Sequence, residues 1–256
     1  PVPRLGADVE PRAFEQLPQV EADDRLVLGD QDPHATDRRL LPVNGCCTRG
    51  YDKTFGERAA RRDARRYRRN GLDKTGQRLV QELAARGVGG ATVLEVGGGV
   101  GAIDLDLLRR GAERATIVEL SSGYDEVADA LAREQGMEER IQRRHGDFTE
   151  DEARVEPADV VVMHRVVCCY PDPESLVGAA GSHAERLLAL SFPRDTWWVR
   201  LGFRVMNVWF RLTGGIEGWI HEPTRVLRAA EATGLRTVVD EPAGHIWRVA
   251  VFERPA

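Results

Sequence analysis

The chain has 256 residues, 42% of them apolar and 30% charged, with a formal net charge of -5. That length can bury a full hydrophobic core, most simply as one domain with an appendage. The mild acidity argues against a dedicated nucleic-acid binder, and no run approaches the roughly 18 uninterrupted apolar residues of a membrane span.

Residues 1–44 hold six of the thirteen prolines, many acidic residues and little periodicity, and are expected to form a mobile arm. From Phe55 to Arg69 the sequence reads FGERAARRDARRYRR. Helical spacing puts Arg58, Arg61, Arg62, Arg65, Arg66 and Arg69 on one face and Phe55, Ala60, Ala64 and Tyr67 on another. Such a basic face either draws an anionic substrate or surface, or is simply solvated. Asn70-Gly71 stops this helix, and a second is predicted over Lys74 to Arg86 with a stripe of Leu79, Val80 and Leu83.

Strand and helix then alternate. ATVLEVGGGVG is a short apolar strand entering a glycine loop, AIDLDLLRRGA its helix, RATIVEL a second strand, and DEVADALAREQG a second helix. RIQRRHGDF is a weak, polar third strand, while ADVVVMHRVV is the most β-branched run and reads as a strand buried on both faces. PESLVGAAGSHA, RLLALSF and EPTRVLRAAEATG continue as helix, strand and helix. LRTVVDE and HIWRVAVFE close the chain as a hairpin turning at Pro242-Ala243-Gly244. The series predicts a mostly parallel α/β sheet with helices on both faces.

The four cysteines form two adjacent pairs, Cys46-Cys47 and Cys168-Cys169, without CxxC spacing. They supply neither a secreted disulfide framework nor a zinc signature, so a reducing cytoplasm and no metal are expected.

The loop Glu95-Val-Gly97-Gly98-Gly99-Val-Gly101 lies where α/β sheets bind nucleotides, and its glycines permit close backbone approach to a ligand. It also fits a dinucleotide G-x-G-x-x-A pattern ending at Ala102, which keeps an NAD(P)-dependent reductase open. Three acids point the other way. Glu95 stands where a carboxylate can meet a cationic amine, Glu119 ends the second strand where ribose hydroxyls can be accepted, and Asp147-Phe148 ends the third where an adenine can be held.

The ordered set VLEVGGGVG, VEL, GDF, a strand ending in YPD and a terminal hairpin resembles the class I S-adenosylmethionine-dependent methyltransferases over residues 50 to 254. The resemblance implies a Rossmann-like seven-stranded sheet with the last strand reversed. It implies that Glu95 and the backbone of Gly97, Gly98, Gly99 and Gly101 surround the methionyl part of the cofactor. Glu119 with Leu120 would take the ribose, and Asp147 with Phe148 the adenine. His164, at a strand end, is expected to touch the cofactor.

GYDKTFGE, VVCCYPD, ERLLALSFPRDTWW and GWIHEPTRVLRAAEATGL resemble the magnesium-protoporphyrin O-methyltransferase branch. There residues 45–256 would form the methyltransferase domain, with an N-terminal helical lid over 45–89 and an acceptor-binding insertion over 195–220. That branch typically carries a tyrosine where this chain has Phe55 and a histidine where it has Cys169. The expected reaction is methylation, at oxygen, of an apolar and possibly anionic small molecule by direct in-line transfer. A catalytically degenerate binding or membrane-associated module is the alternative.

Methyl transfer needs alignment above all, and a base only for a protonated acceptor. His164, Tyr170 and His221 are the candidates for that base. Phe55, Cys169, Tyr170 and Trp198 are the candidates for the acceptor pocket. Segment 195 to 220 contains four of the five tryptophans. Its stripe of Trp198, Leu201, Val205, Val208 or Trp209, and Leu212 would cover a flat substrate, pack on the core, or touch lipid as a peripheral membrane contact.

Overall fold

The computed structural model describes Tyr51 and residues 53–255. The expected arm over 1–44 and the Cys46-Cys47 pair lie outside the described residues. Two helices precede the sheet. In α1 (Glu57–Asn70) small residues let the helix sit close, with Ala59, Ala60, Ala64 and Tyr67 buried and its arginines exposed. Gly71, at φ 67°, ends it. Asp73 caps α2 (Lys74–Ala85) by accepting the amides of Thr75 and Gly76.

The strands are β1 (Thr92–Val96), β2 (Arg114–Glu119), β3 (Ile141–His145), β4 (Ala158–His164), β5 (Ala184–Pro193), β6 (Arg236–Ala243) and β7 (Trp247–Glu253). They form one sheet in the order β3-β2-β1-β4-β5-β7-β6, parallel except for β7, which runs antiparallel to both β5 and β6. The helices between and after them are α3 (Ala102–Arg109), α4 (Asp125–Glu134), α5 (Phe148–Asp151), α6 (Pro173–His183), α7 (Trp197–Thr213) and α8 (Pro223–Glu231). This is the expected α/β class: a seven-stranded Rossmann-like sheet with a reversed strand and N-terminal helices.

Alternation along the strands divides the core. Val160 and Val162 pack with Leu79, Ile103 and Leu131 on one face, whereas Val161 and Met163 pack with Leu176 and Val226 on the other. The polar run of β3 suits its place at a sheet edge, where only one neighbouring strand pairs with it.

Two local expectations are corrected. The fourth strand ends at His164, because Arg165 takes a left-handed φ of 63° that breaks the extended backbone; Val167–Cys169 is then a single helical turn. Pro242 and Ala243 still pair with Arg248 and Trp247, so the hairpin turns beyond them, at Gly244 with φ 81°. Within the 195–220 segment, α7 stops at left-handed Gly214. Among the described residues, no helix is long and apolar enough to cross a membrane.

Candidate active site

The carboxyl ends of β1, β2 and β4 meet α1 around a cavity of about 340 Å³. It lies where strand order reverses beside β1, the usual ligand crevice of open α/β sheets. Phe55, Glu95, Gly97, Gly98, Gly99, Glu119, His164 and Cys169 all line it.

The loop after β1 can only be glycine-rich. Gly97 and Gly99 have φ of 69° and 54°, and a Cβ on Gly97 would lie 2.6 Å from Val166 Cγ2. The Gly97 amide donates to Val118 O at 2.7 Å. The Glu119 carboxylate accepts the Gly99 amide at 2.9 Å and the Ser121 amide at 3.0 Å. One acid thus fixes both the loop and the end of β2. Gly101 lies just beyond the cavity, as the left-handed N-cap of α3.

Beneath the loop, Glu95, Ile117 and Arg143 occupy one row across β1, β2 and β3. Glu95 is 2% exposed and Asp104, on α3, is fully buried. Glu95 Oε2 and both Asp104 carboxyl oxygens have no hydrogen-bond donor among the described residues. Burial, then the neighbouring Asp104, push the Glu95 carboxyl well above the ordinary carboxylate range. Burial raises Asp104 to about 6 against the lowering influences of the neighbouring Glu95 and the charge of Arg143. Two carboxyls in contact without another donor are satisfied by sharing a proton.

The end of β4 is held from α2 and β5. His164 Nδ1 lies 2.8 Å from Ser191 Oγ, which also accepts the Arg165 amide at 3.0 Å. His164 Nε2 lies 3.5 Å from Asp73 Oδ2, so the imidazole is held between Ser191 and Asp73. Asp73 also pairs with Arg165 at 2.7 Å, and the Arg165 guanidinium sits 4.5 Å from the Trp247 ring centroid. Burial alone would raise the Asp73 pKa. The hydrogen bonds of His164 and the Gly76 amide, with the charges of His164 and Arg165, bring it well below the ordinary range.

Cys168 and Cys169 have sulfurs 4.0 Å apart, and both point at Arg165 O. The hydrogen bond between them lowers the Cys169 pKa and raises that of Cys168, whose burial adds to the rise.

The remaining candidates lie away from the cavity wall. Asp147 caps α5 by accepting the Thr149 amide and hydroxyl, and Phe148 is buried edge-on against His183. The Tyr170 hydroxyl bonds Thr149 Oγ1, and its carbonyl meets His221 Nε2 at 2.9 Å. His221 is buried, which lowers its pKa. Leu120 is half-buried, and Trp198 is 45% exposed on α7. Sequence reasoning missed Tyr51, Asp73 and Arg165 as cavity residues. Asp73 carried a helix-cap signal, but nothing local joined it to His164. Among the described residues, no cluster of three or more His, Cys, Asp or Glu side chains is placed to hold a metal ion.

Fold and cavity together define a Rossmann-type methyltransferase. The family model described as "Methyltransferase domain" matches residues 63–239, and the chain belongs to this family. The family implies S-adenosylmethionine as the methyl donor. The solved structure of magnesium protoporphyrin IX methyltransferase from Synechocystis PCC 6803 with bound S-adenosylhomocysteine is similar, with TM-score 0.63 and 19% identity, covering 81% of this chain and 97% of that one. An O-methyltransferase family protein from Burkholderia thailandensis has TM-score 0.64 and 16% identity over 82% of this chain and 64% of its own. An O-methyltransferase family 2 protein from Planctomyces limnophilus in complex with apigenin has TM-score 0.53 and 18% identity, covering 73% and 63%. At these identities the likeness is one of fold. No curated protein sequence matches significantly.

Proposed function

We propose that the protein methylates an oxygen of an apolar, anionic small molecule. S-Adenosylmethionine, when bound, supplies an electrophilic methyl carbon on a sulfonium. The fit to this cofactor rests on the glycine cradle, the orphaned Glu95 Oε2 beneath it and Glu119 beside it. In this reading Glu95 faces the cationic end of the cofactor and Glu119 the ribose, while Gly97, Gly98 and Gly99 admit the backbone contacts.

The composition of the cavity wall carries the acceptor class. Tyr51, Phe55 and Cys169 contribute apolar surface, and Arg66 from α1 adds positive charge beside Arg62, which is paired with Asp63 at 3.2 Å. Such a wall favours a flat apolar body with a carboxylate or phenolate. An acceptor that arrives ionised needs no base. This agrees with His164 engaged by Ser191 and Asp73 and with His221 engaged at Tyr170 O. The chain's own contribution is then orientation and exclusion of water rather than proton removal. The likeness to the Synechocystis enzyme makes a carboxylated tetrapyrrole one acceptor to try. Phe55 and Cys169 lack the hydroxyl and imidazole typical of that branch.

The test is methyl-labelled S-adenosylmethionine incubated with carboxylic acids, phenols and amines of matched apolar size. Methyl esters or ethers are expected. Methylated nitrogen as the sole product would overturn the oxygen assignment. S-Adenosylhomocysteine binding without turnover of any acceptor would point to the degenerate module, and NAD(P)H binding in its place to a reductase.

A further inference from the structure

Helix α7 has two apolar faces. Its inner face packs on the protein: Val199 is buried, and half-buried Phe203, Met206 and Phe210 lie so near the following loop that a Cβ at Gly215 would collide with Phe210 and one at Gly218 would crowd Phe203 and Met206. Asn207 clasps that loop by accepting the Gly218 amide at 2.9 Å and donating to Gly218 O at 2.8 Å. The helix is therefore anchored without its outer face. Yet the outer face carries Trp197, Trp198, Leu201, Val205, Val208, Trp209 and Leu212, from 45% to 80% exposed.

The arrangement within that face identifies what it meets. At about 100° per residue, the aliphatic Leu201, Val205, Val208 and Leu212 fall in the middle of a sector about 120° wide, while the three tryptophans fall at or near its margins. Beyond one margin, Arg200, Arg204 and Arg211 form a row, and α7 contains no acidic residue. A protein partner would be expected to find its aromatic anchors at the centre of the patch. A bilayer boundary asks for the opposite: aliphatic side chains deepest, tryptophans at headgroup level, and cations outermost. Arg200 and Arg211 are paired to Asp195 and Glu217 at the surface, whereas no partner is recorded for Arg204 among the described residues.

We propose that α7 seats the protein on an anionic lipid surface, its aliphatic stripe entering the acyl boundary and its arginine row meeting lipid phosphates. The loop that follows α7 is bonded at two points to residues adjoining the cavity-lining Cys169 and Phe55. The Trp219 amide donates to Cys168 O at 2.8 Å, and the Ile216 amide donates to Thr54 Oγ1 at 3.3 Å. Lipid contact therefore lies next to both the β4 turn and the residues leading into α1. The proposal does not depend on which acceptor is methylated.

The experiment is sedimentation of the full chain with phosphatidylcholine vesicles and with vesicles in which a third of the lipid is phosphatidylglycerol. Tryptophan emission is followed in parallel. Binding to the anionic vesicles, a blue-shifted emission and weakening by salt are expected. Leu201→Glu combined with Val208→Glu should reduce binding about tenfold or more, with S-adenosylhomocysteine affinity unchanged. Arg204→Glu should reduce the preference for anionic vesicles. Failure of the parent protein to bind either vesicle overturns the proposal, as does undiminished binding by the double variant. A dimer that the double variant splits, with no vesicle binding, also overturns it and assigns the face to a second copy of the chain.

Discussion

Glu95 on β1 and Asp104 on α3 bring two buried carboxyl groups together beneath the glycine loop, and the charge of Arg143 acts on both. Both titrate above their ordinary values in the folded chain, Asp104 moving from 3.8 to about 6. The folded state therefore holds more protons than the unfolded state across that window and above it. The pair is most favourable at the acid end, and its contribution falls as pH rises. Asp104→Asn should be more stable than the parent by roughly 1–3 kcal/mol near pH 8 and should lose that advantage near pH 4. Thermal unfolding across that range measures it, and a difference independent of pH would refute the shared proton.

Asp73 follows the opposite sign. Its pKa is held low, so its contribution is present above the ordinary aspartate range and is lost on acidification through the lowered value. Asp73→Ala removes a helix cap and the partner of His164 and Arg165, and is expected to cost about 2–4 kcal/mol in urea unfolding at neutral pH. A loss within experimental error would mean that the Asp73–Arg165 pair has no energetic weight.

Gly97→Ala should weaken S-adenosylhomocysteine binding at least tenfold. It combines a positive φ with a Cβ at 2.6 Å from Val166 Cγ2. Adding Val166→Ala relieves the collision but not the backbone conformation, so only partial recovery is expected in calorimetry. Full recovery would assign the defect to sterics alone.

Glu119→Ala strands the amides of Gly99 and Ser121 and is expected to cost about 1–3 kcal/mol of stability. Cofactor affinity should fall as well. Unchanged affinity by calorimetry would remove Glu119 from the proposed ribose site.

Cys169 is half-buried at the cavity wall, beside fully packed Val167. Cys169→His should fold with a melting temperature close to that of the parent and should change which acceptors are methylated. Gross unfolding would place the side chain in the core instead.

The order of apolar runs, glycine loops and helix stops carried the sheet architecture, because strand and helix periodicities are local properties of the chain. The glycine loop was legible for the same reason: only glycine tolerates left-handed backbone at such close approach, so its chemistry is written in one short stretch. Tertiary structure decided the rest. Asp73 with His164, and Glu95 with Asp104, become neighbours only when the strands align, and no periodicity reports contacts between distant segments. The tryptophan stripe is similar. Spacing predicted an apolar helix face, but a face says nothing of what covers it. Folding spent the inner side of α7 on its own loop and left the outer side, with its arginine row, turned to solvent.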